Sequence, residues 1–257
     1  MKAKAIILAG YGINCDFETE HAFRAAGALP TRVHINDLIG GKVSLDDYNV
    51  LAIPGGFAYA DDLGAGKVLA NKIRCRLSGQ FRKFIDDGKL VIGICNGFQV
   101  LIKLGILPGI NMFTQEATLT FNDSGRFEDR WVDLKANGSR CVWTRGLDSI
   151  SLPVRHGEGK LVMPEELMER LFDNGQVVLQ YCNRDGLAAS EYPANPNGSE
   201  KAIAGICDPS GRIFGMMPHP EGFIDPRQHP SKLRDGVTEG QGLRIIRNAV
   251  EFAESNL

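Results

Sequence analysis

Cys95 stands in the run Leu90-Val91-Ile92-Gly93-Ile94-Cys95-Asn96-Gly97-Phe98-Gln99. An apolar stretch ends in Gly-x-Cys-x-Gly, and a helix-compatible segment, 98–104, follows without a loop. This is the pattern of a nucleophile elbow, a sharp strand-to-helix turn that lifts a thiol off the end of a sheet. Glycines suit both flanks because a Cβ there would crowd the turn. The positive end of the following helix favours the thiolate form. A lone Gly-x-Cys-x-Gly also fits an inert cysteine at a strand end, so the partners must decide.

A thiol nucleophile needs a base and a group that orients the base. His21 falls on a predicted helix, where a solvated or locally hydrogen-bonded role fits, His34 sits in a short strand, a structural setting, and His229 lies in a polar loop. His219 lies in Met217-Pro218-His219-Pro220-Glu221, after a predicted strand, where the two prolines fix the backbone around it. Glu221 is placed to accept the other imidazole N–H and set the tautomer. His156, in His156-Gly157-Glu158-Gly159, also follows a strand. Acyl transfer further requires N–H donors for the oxyanion. Gly55 and Gly56, in Pro54-Gly55-Gly56-Phe57, allow close backbone approach, and the N–H of Asn96 directly follows the nucleophile.

These groups must be held by a framework, and the first hundred residues alternate strand and helix signals. Strands are predicted at 5–9, 31–35, 50–53 and 90–95, and helices at 17–26 and 63–87. On 17–26 the apolar side is expected to carry Phe17, Ala22, Phe23 and Ala26. The alternation implies parallel strands with right-handed crossovers and helices on both faces. Between about 115 and 217 short strand signals dominate, at 117–121, 130–134, 140–143, 149–154, 176–181, 202–208 and 212–216, expected as antiparallel additions. A helix with a stripe of Ile245, Ile246, Ala249, Val250 and Ala253 closes the chain over 240–254. Residues 223–239 read as a long polar surface loop. The expected fold is α/β: one domain over 1–257, a three-layer sandwich around a mixed, mainly parallel sheet of flavodoxin-like topology.

Composition narrows the classes. Of 257 residues 43% are hydrophobic and 23% charged, and the net charge is −2, with no basic cluster interleaved with aromatics. Nucleic-acid binding is therefore not favoured, and no run reaches membrane-spanning length. The six cysteines show no C-x-x-C pairing and no zinc-finger spacing, so neither a disulfide framework nor a metal site is expected, and a reducing, cytoplasmic setting fits.

The segments 93–99, 54–57 and 218–221 together resemble the class I (triad) glutamine amidotransferases. Gly12-Ile13-Asn14-Cys15-Asp16, the stretch 58–66, Asn122-Asp123-Ser124-Gly125-Arg126-Phe127, His156-Gly157-Glu158-Gly159 and the cluster 192–199 narrow the resemblance to the glutaminase subunits of phosphoribosylformylglycinamidine synthase, over nearly the whole chain. The resemblance implies Cys95 as nucleophile, His219 as base and acid, and Glu221 as its orienter. It implies Gly56 and Asn96 as oxyanion donors, Gln99 in the substrate pocket, and His156 and Glu158 at its border. It implies hydrolysis of L-glutamine, with ammonia passed to a larger synthetase subunit of the purine pathway and a small bridging subunit between them. ATP and magnesium are expected on that partner, and no Gly-x-x-x-x-Gly-Lys-Ser/Thr loop occurs here. Gly222 stands where the family often has Arg, and Asp129 where it has Cys. A cysteine hydrolase or chaperone-like protein with the same elbow, and a non-catalytic regulatory subunit, remain the alternatives.

Overall fold

The computed structural model describes residues 1–138, 140–231 and 236–257. The first half alternates β1 (Lys4–Ala9), α1 (Asp16–Ala25), β2 (Leu29–His34), α2 (Ile35–Ile39), β3 (Val50–Ile53), α3 (Lys67–Asp86), β4 (Leu90–Ile94) and α4 (Asn96–Leu104). The second half holds β5 (Thr118–Thr120), β6 (Glu128–Ala136), β7 (Ser149–His156), β8 (Lys160–Val162), α5 (Glu165–Asp173), β9 (Val177–Cys182), β10 (Ile203–Cys207), β11 (Ile213–Met216) and the closing helix α6 (Gly242–Asn256).

One nine-stranded sheet runs in the order β2-β1-β3-β4-β11-β10-β9-β6-β7, and β5 pairs with β8 apart from it. The five strands from β2 to β11 are parallel, in the 2-1-3-4-5 order of flavodoxin-like sheets. β10 and β6 run against the rest. The mixed, mainly parallel sheet expected from the sequence is present.

The chain winds from β1 to β2 in one direction and from β3 to β4 in the other. With right-handed crossovers, α1 and α3 then fall on opposite faces. α1 packs with α6, and α3 with α4. The strands between them are covered on both sides, which is why β3 and β4 are buried at every position and read as unbroken apolar runs. The stripe expected on α6 is buried throughout.

Some expectations are corrected. Segment 140–143 forms no strand. It is tied to the 208–212 turn by single bonds, Val142 N–H to Gly211 O (2.9 Å) and Trp143 Nε1–H to Arg212 O (2.9 Å), without a ladder. Phe17 does not face the core. It is 63% exposed, and the guanidinium of Arg32 stacks over its ring, so a cation takes the place of apolar packing. The 63–87 helix starts only at Lys67, because Tyr59, Ala60, Asp61 and Leu63 hold left-handed φ angles. The short α2, α5 and β8 were not anticipated. In the 223–239 loop, residues 232–235 lie outside the described residues. Phe223 and His229 pack on Trp131, and Pro226–Gln228 forms a capped 3-10 turn.

Candidate active site

The parallel strands end together, and their carboxyl ends carry the predicted chemistry. β4 and β11 are adjacent, with Ile94 opposite Met216, so the residues that follow emerge side by side. The Cys95 N–H donates to Met216 O (2.8 Å), locking the two exits together. Cys95 itself has φ 51° and ψ −106°, a strained conformation for a residue with a Cβ, and caps α4. Its neighbours are glycine for a packing reason. A Cβ on Gly93 would lie 2.6 Å from Gly97 O, and one on Gly97 would overlap the carbonyl oxygen of Ile53. The elbow read from the sequence is therefore formed, with a nucleophile-type backbone and a thiol 5% exposed.

His219 Nδ1 and Glu221 Oε1 are 2.5 Å apart, in side chains 2% and 3% exposed. His219 N–H donates to Pro153 O (2.8 Å), fixing the backbone behind the ring. Burial opposes charge on this imidazole, but Glu221, the Cys95 sulfur and the Cys15 sulfur together hold its pKa well above the ordinary value. The ring's other nitrogen, Nε2, has no hydrogen-bond partner. Gly55 lies between these groups. A Cβ there would meet His219 Cε1 at 2.8 Å, Cys95 Cβ at 3.4 Å and Cys15 Sγ at 3.5 Å. Gly56 has φ 143°, and a Cβ on it would press on Asn14 N and Gly12 O, each at 2.5 Å.

A cavity of about 280 Å³ opens over Cys95. Gly56, Gln99, His156 and Glu158 line it, with Asp61, Phe57, Phe127, Arg126 and Arg155. Of the residues expected from the sequence, Gly55 and Asn96 lie behind this wall. Beneath the cavity runs a polar network. Asn96 Nδ2 donates to Asp61 Oδ1 and to Gln99 Oε1 (both 2.9 Å), Gln99 Nε2 donates to Glu158 O (2.5 Å), and Ala58 N–H donates to Asn96 Oδ1 (3.2 Å). The peptide of Ala65 is held at both poles, its N–H on Glu158 Oε2 (3.2 Å) and its carbonyl on Lys103 Nζ (2.6 Å). Burial pushes the Asp61 carboxyl up and the Lys103 ammonium down. This network ties the left-handed 59–66 loop to the elbow.

His156 is a wall residue, not a free base. Its Nδ1 pairs with Asn122 Oδ1 (3.1 Å) and its Nε2 approaches Asn197 Nδ2 (3.5 Å). Burial, with the nearby His219, lowers its pKa to about 3. The two departures also find places. A Cβ at Gly222 would stand 3.6 Å from Arg155 Nη2, so an arginine from β7 reaches the region in space, and Asp129 Oδ1 lies 3.9 Å from Arg155 Nε.

Sequence reasoning did not single out Asp61, Lys103, Arg155, Asn122 or Asn197. Asp61, Asn122 and Asn197 sit in segments that carried the family resemblance. Nothing local marks Lys103 or Arg155, which acquire their neighbours only on folding.

A thiol at an elbow beside a buried His–Glu pair, on a 2-1-3-4-5 sheet, defines the class of triad glutamine amidotransferases. The model of the CobB/CobQ-like glutamine amidotransferase domain matches residues 2–253. The phosphoribosylformylglycinamidine synthase subunit PurQ of Dehalococcoides mccartyi is 50% identical over 98% of both chains. That of Methanococcus maripaludis is 44% identical over 97% of both. Among solved structures, that of PurLQS from Thermotoga maritima matches with a TM-score of 0.75 and 30% identity, over 98% of this chain and 99% of that one. The chain belongs to this PurQ family of glutamine amidotransferases.

Proposed function

We propose that the chain hydrolyses the side-chain amide of L-glutamine and delivers the ammonia for conversion of formylglycinamide ribonucleotide to its amidine in purine synthesis. The observation that carries this is the elbow Cys95 and the buried His219–Glu221 pair emerging from neighbouring parallel strands. Cys95 Sγ attacks the amide carbon, and the N–H groups of Gly56 and Asn96 stabilise the oxyanion. His219, oriented by Glu221, gives its proton to the departing ammonia. A water then attacks the thioester with His219 as base, releasing glutamate. Gln99 and Glu158 position the substrate, and His156 shapes the wall.

PurLQS, the assembly in which the Thermotoga relative is found, supports reading the partners as a larger synthetase subunit and a small bridging subunit. ATP and magnesium belong to the synthetase in this reading, and the whole chain acts as one amidotransferase domain. Among the described residues no helix is long and apolar enough to cross a membrane, and cysteine usage favours the cytoplasm. The test is glutamate release from L-glutamine by the purified chain, with and without the synthetase subunits. Absence of release in both would overturn the assignment.

A further inference from the structure

Lys103 lies on α4, the helix that Cys95 caps, about two turns beyond the nucleophile. It is 7% exposed, and a lysine is almost never so buried unless it is paired. Its Nζ donates to Ala65 O (2.6 Å) and stands 4.0 Å from Glu158 Oε2. The same Glu158 oxygen accepts from Ala65 N–H (3.2 Å). Asp61, in the loop that leads to Ala65, accepts on Oδ1 from Gly66 N–H (3.3 Å) and Asn96 Nδ2 (2.9 Å). It also feels the charges of Glu158 and Lys103. Gly64 makes room for the ammonium. Its φ is 100°, and a Cβ there would lie 3.3 Å from Lys103 Nζ.

Asp61 and Glu158 both line the cavity over Cys95, and Lys103 stands behind that wall rather than in it. Two acids in one partly buried wall repel, which drives one of them to take up a proton or turn away. An ammonium set behind both offsets the repulsion and leaves the cavity face to the substrate. Free glutamine is a zwitterion, and the lining carries both signs, Arg126 and Arg155 with the two acids. A wall that stays anionic is what an α-ammonium requires.

We propose that Lys103 is a positioning residue for substrate recognition: it holds the Asp61 and Glu158 carboxylates ionised and in place, so that this wall receives the α-ammonium of glutamine. Lys103 touches no substrate atom and takes no part in the proton transfers between Cys95, His219 and the leaving ammonia. This role rests on the glutaminase reading above and names the group that sets the charge of the wall.

The test compares L-glutamine with glutaramate, the same amide without its α-amino group, using the full-length chain together with its synthetase subunits. Lys103→Met removes the charge and the donor. Lys103→Gln removes the charge but keeps a donor for Ala65 O. Each should raise KM for L-glutamine about 10-fold or more and leave kcat within about 3-fold, with little change for glutaramate. The preference for L-glutamine over glutaramate, read as the ratio of the two kcat/KM values, should narrow accordingly. Glu158→Gln should narrow it too, and adding Lys103→Met to Glu158→Gln should cost little more. If Lys103→Met does not fold, Lys103→Gln carries the comparison. A tie that is only structural gives a different pattern, with Lys103→Gln near normal or kcat/KM falling alike for both substrates. Either result overturns the proposal, as does an unchanged KM for L-glutamine. Calorimetry on Cys95→Ala separates this role from the glutaminase reading. Weaker binding of L-glutamine, by about 10-fold, when Lys103→Met is added supports the role even without turnover. If L-glutamine binds neither protein, the role falls with the reading. An active enzyme that fails the Lys103 comparison alone keeps the reading and loses the role.

Discussion

His219 Nδ1 and Glu221 Oε1 stand 2.5 Å apart at the end of β11, sealed from solvent beside the elbow that carries Cys95. A pair so placed should act with the thiol as one unit. His219→Ala is expected to lower glutamine turnover by roughly 10³-fold or more, and Glu221→Gln by less, since Glu221 orients without transferring the proton. The double change Cys95→Ala with His219→Ala should cost little beyond either alone. Strictly additive losses, measured as kcat/KM for glutamate release, would show that the groups work separately.

Cys95→Ala should abolish glutamine hydrolysis, whereas alanine at Cys75, Cys141, Cys182 or Cys207 should leave most of it. Among the described cysteines, Cys95 is the one held at a strand-to-helix turn with a positive φ. Ammonia-dependent synthesis by the assembled complex should survive the Cys95 change. Full glutaminase activity in Cys95→Ala would sink the mechanism.

Gly97→Ala should damage both stability and turnover. The added Cβ overlaps Ile53 O and pushes α4 from the end of β3, where Gly55 and Gly56 follow. Overpacking of this kind costs about 1–3 kcal/mol. A urea melt gives the stability loss, and the kcat gives the displacement of the elbow. An unchanged midpoint would mean that the helix shifts freely.

His156 makes a pH prediction. Buried, and close to His219, it holds a pKa of about 3, against about 6.5 for an unfolded histidine. Below pH 6.5 the unfolded chain takes up a proton that the folded chain refuses. The stability linked to this ring is thus present above pH 6.5 and lost as pH falls toward 3, at about 1.4 kcal/mol per unit. His219 has the opposite sign. Its raised pKa stabilises the fold on the acid side and that contribution fades as pH rises through the folded value. His156→Asn, though weaker at neutral pH through its lost contacts with Asn122 and Asn197, should lose stability less steeply between pH 6.5 and 5. Parallel urea-midpoint profiles for the two proteins would contradict this.

The isolated chain should be a weak glutaminase that its synthetase partner activates. The 59–66 loop holds several left-handed residues, and the Asp61, Asn96, Gln99 and Glu158 network couples it to the oxyanion side of the elbow. Such a segment can be poised between donor-in and donor-out states, with docking favouring the first. Partner contact is expected near this loop and near 192–199. Titration of the synthetase subunits with their nucleotide ligands should raise glutamine turnover. If the chain alone already turns over at the rate of the complex, gating is wrong while the glutaminase assignment stands.

The sequence by itself determined the parallel core and the elbow. Val50–Ile53 and Leu90–Ile94 are strands covered on both faces, so burial wrote itself as continuous apolar runs. Cys95 was legible because a strained turn needs glycine on both flanks, a local requirement. His219 was legible because prolines bracket it and Glu221 lies two residues on. Short or solvent-facing elements were not. Segment 140–143 is apolar through packing on a turn, not through pairing, and Phe17 satisfies itself under Arg32. Tertiary structure alone brought Cys15 to His219, Lys103 to Ala65 and Arg155 to Gly222. Each pair is joined by strand order and crossover handedness, and long-range contacts of that kind leave no periodic trace in the chain that makes them.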